Sequence, residues 1–442
     1  MGKYDKFFAL AKEAGLEQVE LHVTESHSLN ISLFHGEVDE YKDNNGYSIS
    51  ARGIFKNGKC GAASCDVWNK EKAAWLIKEI VANAKVIENE DPIFIFKGSK
   101  KYHKVNTFNK ELEEVTIDQK MEQLYALEKE LKNIDPRIVE VAGAEYSQTT
   151  EKVTLVNSNG LNLVQRSNYF TFVAQCVAKE GEQTKSGYDF FLGNDFKAFN
   201  VKEFAKKIVK LTVDQLGGEP CETNKYKAIL HPDVVTSLLK AYIGHASAED
   251  VQKHSSLFIG KIGQKIASSK VTIEDKPLQK NVFARWFDDE GVATSNKPII
   301  KNGVLQTYLY NLTTAAKDGV ETTGNGFGGG SKTGIDSVFL SLKPGKKSLD
   351  ELFQLVGDGV YITDVSGLHA GLNSQSGNFS LQSTGFMIEN GKKGKPLDLI
   401  TIGGNLLDVF KDIIEVGDDV TVSPGGVSSE SVLIKKIAVS GK

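Results

Sequence analysis

The chain has 442 residues, a formal net charge of −4 and one-quarter charged residues. That length holds about two or three domains with cores of their own. No Lys/Arg block is long enough for a nucleic-acid groove, and no run approaches the roughly 18 apolar residues of a membrane span. Cys60, Cys65, Cys176 and Cys221 are too few in so long a chain for a disulfide framework. The N-terminus reads as an amphipathic helix whose apolar run is too short for a signal peptide. These features point to a reducing compartment, most simply the cytoplasm.

A helix is expected over 4–14, closed by Gly15. Strands follow over 19–25, 28–34 and 37–41, then a turn at Asn45-Gly46 and a strand over 47–55. Asn57-Gly58 reads as a hairpin turn before a strand over 60–65. Ala73, Ala74, Ile77, Ile80 and Val81 recur at helical spacing, so a helix over 70–86 closes a helix–strands–helix unit within 1–90. Residues 91–115 read as a lysine-rich connector. Thr116 is the expected N-cap of a helix over 117–131. Strands are expected over 140–147, 152–157, 161–165 and 169–178, a loop over 193–197 and a helix over 201–216, so 116–220 repeats the first unit's order.

After a break at 220–224 the pattern becomes β-rich over 225–442. Short strands are expected over 226–230, 270–274, 297–301, 304–310, 338–342, 360–364, 378–384, 386–389, 400–402 and 432–439. Helices interrupt at 348–355 and 405–414, and Asn302-Gly303 and Asn390-Gly391 mark hairpins. The fold class is therefore α+β: an N-terminal layered region of sheets and helices, then a barrel-like or sandwich-like C-terminal domain.

Two stretches carry chemistry. From Val365 to Ile388 there is no formal charge, in a chain that is one-quarter charged. Strand alternation puts Phe379 and Leu381 on one face and Asn378, Ser380 and Gln382 on the other. A neutral polar face edged by glycines suits an extended peptide, and His369, Asn373, Ser376, Asn378, Ser380 and Gln382 are the candidate substrate-binding residues. A solvated strand beside a flexible loop is the plain alternative. The second stretch is a helix opened by Pro232 and Asp233 and ended near Gly244, with Val234, Val235, Leu238, Leu239 and Tyr242 inward. It contains Leu238-Leu239-Lys240-Ala241-Tyr242-Ile243-Gly244-His245.

This helix resembles the one that carries His-Glu-x-x-x-His, after a Leu-Leu pair, in active members of the TldD/PmbA family, the so-called modulators of DNA gyrase. Asp364–Glu389, Thr401-Ile402-Gly403-Gly404-Asn405 and Phe287-Asp288-Asp289-Glu290-Gly291 resemble the family's other signatures. Lys240 stands where the first histidine is expected, Ala241 where the glutamate is, and only His245 remains. A catalytic zinc needs about three ligands with free lone pairs and an open position for water, and a carboxylate to take that water's proton. A protonated Lys240 offers no lone pair. Residues five apart lie roughly 140° apart on a helix, so two such histidines need a bulge, here beside Gly244, to converge. The resemblance also implies a third zinc ligand from a C-terminal cysteine, and no cysteine follows Cys221.

The resemblance therefore implies a PmbA-type (TldE-type) subunit without catalytic residues or metal of its own. It implies a heterodimer with a TldD-type partner that bears the zinc, enclosing a cleft for unfolded, extended peptides. Alternatives are a metallopeptidase in its own right using His245, and a homodimeric peptide-binding or regulatory protein. His245, Glu249, Asp250 and His254 lie close enough in sequence to form a metal site, although a hydrogen-bonded histidine is the simpler expectation. Asp288-Asp289-Glu290 reads as a solvated turn, Gly324–Gly330 as a mobile loop rather than a phosphate cradle, and the cysteines as buried thiols.

Overall fold

The computed structural model describes residues 3–86, 91–328 and 333–442. In it the two N-terminal units share one antiparallel sheet. Its strands are β1 (Leu16–Phe34), β2 (Glu37–Phe55), β3 (Cys60–Cys65), β4 (Ile138–Asn157), β5 (Asn162–Glu180) and β6 (Gln183–Gly193), in the order β3-β2-β1-β4-β5-β6. The β1–β4 pairing, from Leu33↔Ala144 to Glu20↔Asn157, joins the units back to back.

These strands are longer than the sequence pattern indicates. The expected segments over 19–25 and 28–34 fuse into β1, those over 140–147 and 152–157 into β4, and those over 161–165 and 169–178 into β5; β6 has no counterpart among the expected strands. Asn45-Gly46 is not a turn but lies inside β2, opposite His27 and Ser26. A Cβ on Gly46 would stand 2.4 Å from Ser26 Oγ on the neighbouring strand, so a larger residue there would turn that hydroxyl aside. The reversal falls instead at His35-Gly36, both with positive φ.

Alternation decides what covers this sheet. Leu21, Val23, Leu29, Ile31 and Leu33 of β1 all point to one face and are buried. That face carries the helices Asp5–Glu13, Lys70–Val86, Ile117–Ile134 and Val201–Val213. The third starts with the expected cap: Thr116 accepts from Gln119 N, and the Gln119 side chain accepts from Thr116 N. The Lys70–Val86 helix lies so close to β3 that a Cβ on Gly61 would be 2.0 Å from the Ile80 carbonyl oxygen. Tyr146, Phe170 and Phe172 fill the second half of this core, each fully buried side chain of this size contributing about 1.5–3 kcal/mol of transfer free energy. The 91–115 segment packs along the sheet, with Ile95 against Ile54 and Cys60 and Thr107 bridging to Ser167.

The C-terminal region continues with β7 (Asn224–Leu230), β8 (Ile273–Asp275), β9 (Lys297–Lys301), β10 (Val304–Leu305), β11 (Gly326–Phe327), β12 (Gly334–Ile335) and β13 (Leu340–Leu342). After these come β14 (Gly359–Ser366), β15 (Asn378–Glu389), β16 (Lys392–Asn405), β17 (Ile413–Val416), β18 (Thr421–Val422), β19 (Val427–Ser429) and β20 (Val432–Ser440). Strands β16-β15-β14-β7-β20 close into a five-stranded barrel through the β16–β20 pairing, and β10-β9-β8-β13-β19-β18 form a second sheet. Asn302-Gly303 and Asn390-Gly391 make the expected hairpin turns, all four residues with positive φ. The helix Pro232–Gly244 is buried in the core shared by barrel and second sheet. No described helix is long and apolar enough to cross a membrane.

Candidate functional site

Lys240, Ala241 and His245 lie at one end of that buried helix. Lys240 is exposed, with Nζ near Gly425, and Ala241 is half-buried against the core. The helix does not bulge at Gly244. His245 N, Ala246 N and Ser247 N donate to Tyr242 O, Ile243 O and Gly244 O, three residues back, so the chain tightens as it leaves the helix. His245 is buried at 6% exposure, beside Phe258. Its Nδ1 accepts from Leu257 N at 3.3 Å, and its carbonyl accepts from Ser256 Oγ at 2.6 Å. Burial, only partly offset by Asp250, holds the imidazole's pKa below its ordinary value, so it is neutral. Glu249 pairs with Lys253 at 2.7 Å, and His254 is exposed. An ammonium, a methyl group and an imidazole whose Nδ1 is already engaged do not make a zinc donor set. No group of three or more His, Cys, Asp or Glu side chains among the described residues is arranged to hold a metal ion.

The uncharged stretch lies next to this end of the helix. Leu257, held by His245, packs on Gly377: a Cβ there would be 2.9 Å from Leu257 Cδ1. Phe379 and Leu381 are buried, and Asn378, Ser380 and Gln382 are exposed, so the strand faces stand as alternation assigned them. Asn378 and Ser380 pair with Asn405 and Gly403 of β16, and Gln382 with Ser366 of β14. The remaining edge of β15 is covered by its own loop: Leu372 bridges Phe379, and Asn373 N donates to Asn378 O. Among the described residues β15 therefore keeps no free edge, and only its outer face is open. His369 is exposed on the short helix Leu368–Gly371. Asn373 accepts from Gln375 N and Ser376 N, and Ser376 Oγ from Asn378 N, so both shape the turn.

The acidic turn corrects the sequence expectation. Asp288 and Glu290 are buried at 0% and 3% exposure, not solvated. Asp288 Oδ1 accepts from Glu290 N and Val292 N, and Oδ2 from Gly326 N. Burial and the neighbouring Glu290 nonetheless push its pKa well up. Glu290 Oε2 accepts from Leu312 N at 2.8 Å, and burial pushes its carboxyl up to about 7. Burial would raise Asp289 too, but His22 and Arg285 beside it hold it far below the carboxylate range. Arg285 Nη2 is 2.7 Å from Asp289 Oδ1, and His22 Nε2 is 3.4 Å from the same oxygen, near but not aligned as a hydrogen bond. His22 belongs to β1, as does Glu20, whose buried carboxylate pairs with Arg52 of β2 at 2.8 Å. The turn thus joins the N-terminal sheet to the C-terminal domain, helped by Trp286 and Phe287 against Leu155 and Leu163.

The neighbouring glycines are not a mobile loop where they are described. Gly326–Phe327 pairs with Gly334–Ile335, and a Cβ on Gly326 would be 2.5 Å from Glu290 Oε2. Gly329 and Gly330 lie outside the described residues. Sequence reasoning missed Glu20, His22, Arg52 and Arg285, whose partners are remote in the chain. It also missed Glu430, fully buried, with neither carboxylate oxygen hydrogen-bonded among the described residues and a carboxyl pushed up to about 8 by burial and Asp419. Cys60, Cys176 and Cys221 are buried, Cys65 is half-buried, and burial raises all four thiols.

Three family models match in series: the PmbA/TldA metallopeptidase domain 1 over residues 19–84, the central domain over 110–216 and the C-terminal domain over 223–441. The chain belongs to the PmbA/TldD family. Among its relatives are the metalloprotease MJ0996 of Methanocaldococcus jannaschii, 26% identical over 94% of this chain and 93% of that protein, and the metalloprotease PmbA of Escherichia coli O157:H7, 24% identical over 96% and 92%. A crystal structure from Thermotoga maritima, described as a modulator of a DNA gyrase, superimposes with a TM-score of 0.91 at 33% identity, over 99% of each chain. TldE of Thermococcus kodakarensis shares the fold at 23% identity, with a TM-score of 0.92 over the whole of both chains. The PmbA/TldD family is thus a metalloprotease family by name, and this chain spans its three domains.

Proposed function

We propose that this chain is the non-catalytic subunit of a cytoplasmic PmbA/TldD metallopeptidase, paired with a zinc-bearing TldD-type subunit that cleaves unfolded peptides. The observation that carries this reading is the state of the motif helix. Lys240 and Ala241 stand where active members carry a metal histidine and a general base, and His245 is spent on Leu257 N and core packing. The adjoining outer face of β15, with Asn378, Ser380 and Gln382 exposed and uncharged, supports a role in receiving peptide. Amide and hydroxyl groups can bond a peptide backbone without selecting its side chains.

The test mixes the purified chain with a family subunit from the same organism that retains His-Glu-x-x-x-His, using an unstructured peptide as substrate. Cleavage by the pair, blocked by a chelator and absent from this chain alone, is the expected result. Chelator-sensitive cleavage by this chain alone overturns the proposal.

A further inference from the structure

On its helix-bearing face the N-terminal sheet is not fully covered. Thr154 and Val156 of β4 share that face with Val23 and Leu21, their partners on β1, and pair on the other side with Val164 and Asn162 of β5. The helix Asp5–Glu13 packs in the core with Leu21 and Val23 but leaves Val164 43% exposed. Beside the helix is a cavity of about 380 Å³, within the roughly 300–1,000 Å³ of small-molecule sites. The C-terminal domain meets the opposite face of the sheet, where Trp286 and Phe287 pack on Leu155 and Leu163.

The lining is of two kinds. Tyr4 and Phe8, one helical turn apart, join Val156, Leu161 and Val164 in an apolar surface. Lys3 and Lys152 line the same cavity, and both reach Glu25 Oε1, at 3.2 and 3.1 Å. One carboxylate is thus shared by two ammoniums, and the trio keeps a net positive charge. Of its three donors Lys152 spends one on Glu25, while Lys3 spends a second on Tyr47 Oη at 2.7 Å. The helix begins here without a side-chain cap, and a helix N-terminus favours anions. Asp5 also lines the cavity, from the first turn of the helix, where that positive end offsets its charge.

Thr154 is an independent sign of a ligand. It is only 5% exposed and lines the cavity, yet its hydroxyl has no hydrogen-bond partner among the described residues. A buried hydroxyl left unpaired is costly, and a ligand with an acceptor removes that cost.

We infer that this groove binds a small amphipathic carboxylate, its anionic head at Lys152, Lys3 and the Thr154 hydroxyl and its apolar body along Phe8, Val156 and Val164. A cationic ligand would meet two ammoniums. A purely apolar one would leave the Thr154 hydroxyl and the spare Lys152 donors unused. The site stands independently of the proposed function, since none of its residues belongs to the Pro232–Gly244 helix or to β15.

Isothermal titration of the purified chain with phenylbutyrate, its neutral amide phenylbutyramide and the cationic phenylbutylamine tests it. The wild type should bind the carboxylate saturably at one site, about tenfold tighter than the amide, and should not bind the amine. Lys152→Met should weaken carboxylate binding about tenfold and Thr154→Val a few-fold, whereas Lys152→Arg, which keeps the charge, should retain it. Val164→Trp, which fills the floor without touching the head groups, should abolish binding. Melting temperatures of the four variants should stay near the wild type, so that each loss reads as a loss of binding. The inference is overturned by no saturable binding of phenylbutyrate to the wild type, by equal affinity for acid and amide, or by full affinity in Lys152→Met or Val164→Trp.

Discussion

His245 Nδ1 accepts the backbone N–H of Leu257 at 3.3 Å inside the C-terminal core. This bond ties the end of the Pro232–Gly244 helix to the loop that buttresses β15, since Leu257 also packs on Gly377. The neutral, buried imidazole acts in this structure as a hydrogen-bond acceptor.

Removing it should therefore cost stability and leave metal content unchanged. His245→Ala orphans the Leu257 N–H, a loss of about 1–3 kcal/mol for a buried donor. Elemental analysis after mild dialysis should find no stoichiometric zinc in either protein, and denaturant unfolding should show the variant less stable. Zinc near one per chain, lost on His245→Ala, would restore the imidazole as a ligand.

The two faces of β15 should respond oppositely to charge. Ser380→Asp places a carboxylate on the exposed face and should leave the melting temperature nearly unchanged, while weakening peptide handling by the assembled pair roughly 5- to 150-fold, equivalent to about 1–3 kcal/mol. Phe379→Asp buries a carboxylate among apolar neighbours and should unfold or strongly destabilise the domain. Melting temperatures and turnover of both variants decide it. If neither alters turnover, the outer face of β15 does not touch peptide.

Glu290 gives the domain junction a pH dependence whose sign follows from its raised pKa. The folded carboxyl titrates at about 7 and the unfolded one near 4.5, so the folded state holds the extra proton between those values. Its contribution is fully present below pH 4.5 and is lost as pH rises through 7. Glu290→Gln keeps an acceptor for Leu312 N and removes the titration. The variant should match the wild type near pH 4.5 and exceed it at pH 8 by on the order of 1–3 kcal/mol. Parallel denaturation curves of the two proteins across that range would show that Glu290 is ionised at no such cost.

Gly61 tests the close approach of β3 and the Lys70–Val86 helix. A Cβ there meets the Ile80 carbonyl oxygen at 2.0 Å, and backbone cannot yield as a side chain does. Gly61→Ala should lower stability by about 1–3 kcal/mol, the range for overpacking. Gly58→Ala serves as the contrast: its Cβ meets nothing, and only the cost of its positive φ remains. Equal stability of the two variants would mean the helix shifts freely away from the strand.

Local periodicity made much of this molecule legible in advance. The Pro232–Gly244 helix, the Thr116 cap, the two Asn-Gly hairpins and the alternation of Phe379 and Leu381 with Asn378, Ser380 and Gln382 depend on residues within a few positions of one another. What donor atoms Lys240 and Ala241 can offer is equally local, since an ammonium and a methyl group have no free lone pairs wherever they sit. Tertiary structure alone decided the rest. Asn45-Gly46 is extended because β1 pairs with β2 along its length, opposite His27 and Ser26, not because its own residues prefer a strand. Asp288 and Glu290 look like a solvated turn until Gly326 N and Leu312 N, distant in sequence, arrive to bind their carboxylates. Burial and electrostatics are sums over neighbours brought together by folding, and a single sequence names those neighbours only where they are also neighbours along the chain.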